Sequence, residues 1–105
     1  MGYYTRYKLK VSKEPEGLAE RFNKTADYGE SFYEHLVSGN EDSVKWYEHD
    51  ENMRAVSKEY PDILFTLYGE GEESGDIWVK YYKNGKSQVA NAQIKFDEFD
   101  PKKLT

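Results

Sequence analysis

A chain of 105 residues sets one compact domain, 1–105, as the expectation, and that length suffices to bury a core without staples. The absence of cysteine excludes disulfides and thiolate metal centres, and no apolar run approaches the ~20 residues needed to span a bilayer. The net charge of −5 argues against bulk attachment to phosphates, but it is unevenly spread: Arg6, Lys8, Lys10 and Lys13 meet no acid in residues 1–13, whereas residues 41–76 are strongly acidic.

The opening MGYYTRYKLKV lacks the continuous apolar stretch of a secretory leader, and Thr5 and Arg6 do not make a myristoylation signal, so a cytoplasmic location is expected. Residues 3–11 alternate, with Tyr7, Leu9 and Val11 on one side and Arg6, Lys8 and Lys10 on the other, which is the pattern of a half-buried strand. Pro15 and Gly17 break it. Leu18 and Phe22 suit a short helix over about 16–26; Phe32, Tyr33, Leu36 and Val37 suit either a second short helix or a strand. Residues 43–48, SVKWYE, are open between a short strand and the start of a helix. A helix over 49–60 follows from Asp50 and Glu51 in the first turn, from Met53, Val56 and Tyr60 at spacings of three and four, and from the stop at Pro61.

The stretch 62–96 reads as three consecutive strands, 63–68, 76–83 and 86–96. Asn84-Gly85 is the preferred pair for a two-residue hairpin turn, because both positions need positive φ. Counting outward from it pairs Tyr81 with Gln88, Val79 with Ala90 and Trp78 with Asn91. The small apolar set Ile77, Val79, Ala90, Ala92, Ile94 and Phe96 is expected to face the core, leaving Trp78, Lys80 and Tyr82 accessible. The fold class is therefore α+β, an antiparallel sheet of about four strands with the helices packed on one face.

Candidate chemistry is sparse. The loop GEGEESG carries Glu70, Glu72 and Glu73, with Asp76 just beyond; it lacks the calcium-loop spacing, so no metal is assigned, and charge complementarity to a basic partner is the better use of it. No nucleophile pairs with His35 or His49 in a recognisable motif, so no catalytic residue and no cofactor are expected. Trp78, Tyr82 and Tyr68 are the candidate anchors of a protein interface. The alternative is nucleotide or single-strand binding, with Arg6, Lys8 and Lys80 beside Trp78 and Tyr82 supplying charge and stacking.

Trp46-Tyr47-Glu48-His49, Ser57, Tyr60-Pro61, LFTLYGEGEESGDIW and Tyr82-Lys83-Asn84-Gly85-Lys86 together resemble a group of small bacteriophage and prophage proteins, over about residues 44–104. The group is loosely similar to phage proteins with a ferredoxin-like α+β domain. The resemblance implies a small inhibitor, anti-CRISPR or other anti-defence in kind, that binds a host protein in the host cytoplasm without catalysis. The acidic loop makes a basic nucleic-acid-binding protein one candidate host partner, no membrane is expected, and a homodimer is left open.

Overall fold

The computed structural model describes residues 3–39, 43–92 and 95–105. Strands β1 (Thr5–Val11), β2 (Phe65–Gly71), β3 (Ile77–Lys83) and β4 (Lys86–Asn91) form one antiparallel sheet in the order β1-β2-β3-β4. Helices α1 (Leu18–Ala26), α2 (Phe32–Ser38) and α3 (His49–Glu59) complete an α+β fold. Residues 32–38 are thus helical. The segment 43–48 is neither a full strand nor a helix: Val44 exchanges two 2.9 Å backbone hydrogen bonds with Thr5, and the chain then turns into α3.

Each helix buries one stripe. Leu18, Phe22 and Ala26 recur at four; Phe32, Tyr33 and Leu36 at one and three; Met53, Val56 and Ser57 at three and one. They close over Tyr7, Leu9, Phe65, Leu67 and Tyr82. Trp46 is the hub. Its ring meets Tyr7 at 5.3 Å, Phe22 at 6.0 Å and Phe32 at 4.9 Å, all edge-on, and its indole N–H donates to Asn52 Oδ1 at 2.8 Å, so the buried polar atom has a partner.

The hairpin register is the one that the turn demands. Asn84 and Gly85 have φ of 50° and 76°, and Tyr81 faces Gln88, Val79 faces Ala90 and Trp78 faces Asn91. The choice of inner face is a correction: Ile77 is 47% exposed and Tyr82 0%. The β2–β3 ladder aligns Phe65 with Tyr82, Leu67 with Lys80 and Gly69 with Trp78, so the large residues of β3 continue the layer of Leu9 and Phe65. Small apolar residues at Ile77, Val79 and Ala90 suggested burial, but α3 needs long side chains with polar ends. The Tyr82 hydroxyl donates to Asp50 at 3.0 Å, and Arg54 Nη2 to the Ser87 hydroxyl at 2.6 Å, while Ser57 Oγ accepts from the Gly85 amide at 2.9 Å.

Two boundaries also differ. β2 runs on through Glu70 and Gly71, because the Gly71 amide donates to the Asp76 carbonyl at 2.8 Å and shortens the loop. β4 ends at Asn91, with a last ladder bond from the Ala92 amide to Ile77; Phe96 lies outside the sheet and is exposed, and Ile94 falls outside the described residues. Among the described residues, no helix is long and apolar enough to cross a membrane.

Candidate binding surface on the open sheet face

The side chains facing away from the helices come from alternate positions of all four strands. β1 contributes Arg6, Lys8 and Lys10, β2 Thr66, Tyr68 and Glu70, β3 Ile77, Val79, Tyr81 and Lys83, and β4 Lys86, Gln88 and Ala90. Arg6, Lys8, Lys10, Tyr68, Ile77, Lys83 and Lys86 are exposed, and Val79 and Tyr81 half-buried. Among the described residues, five cations meet one carboxylate, Glu70, which approaches Arg6 Nε at 3.8 Å. A chain of net charge −5 therefore presents a positive sheet face.

Two shallow depressions mark this side. One, of about 320 Å³, lies among Arg6, Lys8, Tyr68, Ile77 and Val79; the other, of about 510 Å³, lies among Leu64, Tyr81, Lys83, Lys86 and Gln88. Each thus joins an open-face tyrosine, Tyr68 or Tyr81, to two cations. Tyr68 pairs with Val79, two residues from Tyr81 on the same strand, so the two rings are diagonal neighbours.

The covered face holds the other aromatic and basic candidates. Trp78 stacks on the His49 ring at 5.3 Å and 16°, with Lys80 Nζ 4.7 Å from its centre. Lys80 Nζ donates to His49 Nε2 at 2.8 Å, and His49 Nδ1 lies 3.0 Å from the Trp46 carbonyl, which also accepts from the Tyr7 hydroxyl at 3.1 Å. These partners define a neutral imidazole protonated on Nδ1. Burial lowers the His49 pKa from its ordinary value, and the Lys80 charge adds to that against the opposing pull of the Trp46 carbonyl and Asp50. Burial also pushes the Tyr7 phenol up to about 12 and raises Tyr82 further, with the bond to Asp50 adding to the latter. For Asp50, burial works upward, but bonds from Arg54 and Tyr82 outweigh it and hold the carboxyl below its usual range. Both imidazole nitrogens are engaged, so His49 braces α3 against β3.

The candidates from sequence therefore separate. Arg6, Lys8 and Tyr68 share the open face; Trp78, Lys80 and Tyr82 lie on the opposite one, Tyr82 fully buried and Trp78 and Lys80 half-buried. The acidic loop separates too. Glu72 and Glu73 are exposed, Glu70 is beside Arg6, and Asp76 accepts a hydrogen bond from the Tyr3 hydroxyl, which in turn accepts one from the Glu73 amide at 3.2 Å. The bond to Asp76 is the main cause of a raised Tyr3 pKa. Lys10, Tyr81, Lys83 and Lys86 are the open-face residues that the sequence reading left out. The signal for them was Gly69: a side chain there would run into the Trp78 ring, so this glycine marks the Trp78 side as the packed one. Among the described residues, no group of three or more His, Asp or Glu side chains is placed to hold a metal ion.

No protein-family model matches the chain, and no curated protein and no solved structure matches it.

Proposed function

We propose that this chain is a non-catalytic binding module whose open sheet face takes single-stranded nucleic acid. The observation that carries this reading is the grouping of Tyr68 and Tyr81 with Arg6, Lys8, Lys10, Lys83 and Lys86 on the sheet face turned away from the helical core, with Gly39 at the end of α2 lying against the Lys8 stem. Tyr68, exposed on β2, and Tyr81, half-buried on β3, offer flat apolar platforms for unstacked bases, and the cations around them meet the phosphates. The engaged nitrogens of His49 favour a structural rather than an acid–base role for that residue.

Anisotropy of a fluorescein-labelled oligonucleotide tests it. Binding is expected at low salt, with log K falling against log salt by about 0.7 per phosphate neutralised. Lys8→Glu together with Lys83→Glu is expected to weaken binding to all sequences alike, and Tyr68→Ala to cost about 1–3 kcal/mol of binding. A flat titration at low salt ends the reading.

A second reading rests on Glu72 and Glu73, exposed in the β2–β3 loop: an inhibitor of the phage kind that meets a basic site on a host protein. Glu72→Ala/Glu73→Ala is expected to abolish capture of such a partner from host lysate. A partner retained equally by wild type and variant removes the loop from the function.

A further inference from the structure

Beyond β4 the chain carries large apolar side chains that its own fold leaves in water. Phe96 is 89% exposed and Phe99 76%, and every residue of 95–105 except Asp100 is exposed. The segment nevertheless has local order. Asp100 is extended and accepts from the Lys102 amide at 3.0 Å, and Pro101 opens a single 3-10 turn over Pro101–Lys103. Exposed aromatics beside such a turn offer apolar area for docking.

We infer that segment 96–100 of one copy docks on the open sheet face of a second copy, with the two copies exchanging segments reciprocally. Charge supports this occupant. Asp97, Glu98 and Asp100 interleave with the two phenylalanines, and the face opposite them carries, among the described residues, five cations and one carboxylate. Asp97 is 3.4 Å from Lys103 in the single copy, both exposed, an ion pair weak enough to exchange for contacts on the face. The segment resembles a nucleic-acid strand in its alternation of flat rings and negative charge, so exchange would occlude the face from other anions.

The inference rests on the open face being the binding surface, not on nucleic acid being its ligand, and its test contains no oligonucleotide. Sedimentation velocity of the full chain from low to high micromolar concentration is expected to show a dimer, with Phe96→Ser/Phe99→Ser weakening association by at least about tenfold. Both residues are exposed in the single copy, so folding is unaffected. A charge swap identifies the occupant. One variant carries Lys8→Glu/Lys10→Glu and another Asp97→Lys/Glu98→Lys; each alone is expected to be monomeric, and their mixture to form the heterodimer. A wild type that stays monomeric overturns the inference. So does a dimer that survives both variants, as pairing through the β4 edge would, or a mixture that remains monomeric, as docking within one copy would.

Discussion

On the covered face of the sheet, Tyr7, Leu9, Phe65, Leu67 and Tyr82 are almost entirely removed from water, and the polar ends there meet partners: Tyr82 on Asp50, Tyr7 on the Trp46 carbonyl, Lys80 on His49. On the open face, Tyr68 is 40% exposed and Arg6, Lys8, Lys10, Lys83 and Lys86 reach into solvent. The same strands supply both sides. The difference teaches that a tyrosine's role here is set by strand parity: Tyr82 and Tyr81 are neighbours in sequence, and one is a buried strut while the other lines a depression on the outside.

The strongest way to break that contrast is to apply one substitution type to both sides. Trp46→Ala removes the hub joining Tyr7, Phe22 and Phe32, and is expected to cost about 3–5 kcal/mol of stability. Tyr68→Ala on the open face leaves no cavity and is expected to stay within about 0.5 kcal/mol while weakening ligand binding. Urea unfolding of both variants measures the difference. Comparable losses would mean that the open face is structural and would remove it as a binding surface.

Gly69 probes the contrast more finely, because the Trp78 ring packs directly on it. A methyl group there meets the Trp78 ring, which must leave its stack on His49. Gly69→Ala is expected to destabilise by about 1–3 kcal/mol and to change the near-ultraviolet circular dichroism, with the open face unaltered. Unchanged dichroism would show that the indole moves aside without cost.

Much of the fold was legible in the chain because local signals agreed. Asn84-Gly85 set the hairpin register, alternation in 3–11 marked β1, and the acids and apolar spacing of 49–60 marked α3. The inner face of β3 was not legible from β3 and β4 alone, since Ile77, Val79 and Ala90 carry more apolar character than Lys80. Pairing with β2 decides it: Leu67 opposite Lys80 and Phe65 opposite Tyr82 are long-range facts. The candidate site was half legible for the same reason. Arg6, Lys8 and Tyr68 share the open face, whereas Trp78, Lys80 and Tyr82 were grouped with them by chemistry across a sheet that separates them. Tyr81 and Lys83 went unnoticed because the inward assignment of their parity hid them.

The gentlest probe of the covered face is acid. His49 is neutral in the fold and its pKa lies below the ordinary histidine value, first through burial and then through Lys80. As pH falls below about 6.5, the unfolded chain takes up a proton that the native imidazole still refuses, so the unfolded state binds more protons and stability drops. The drop continues until the native pKa is passed, and then levels off. The groups facing His49 are Lys80 from β3, Tyr7 from β1 and Asp50 on α3 itself; Asp50, whose pKa is also lowered, loses its own contribution only at a more acidic pH, near and below the usual carboxylate range. Half-burial keeps the effect below that of either substitution above. His49→Gln is expected to flatten the fall in stability between neutral pH and the native pKa. An unchanged slope in urea unfolding followed across that range would mean that Lys80 and His49 part in solution, leaving the Trp78 stack and the Tyr82–Asp50 bond to hold β3 to α3.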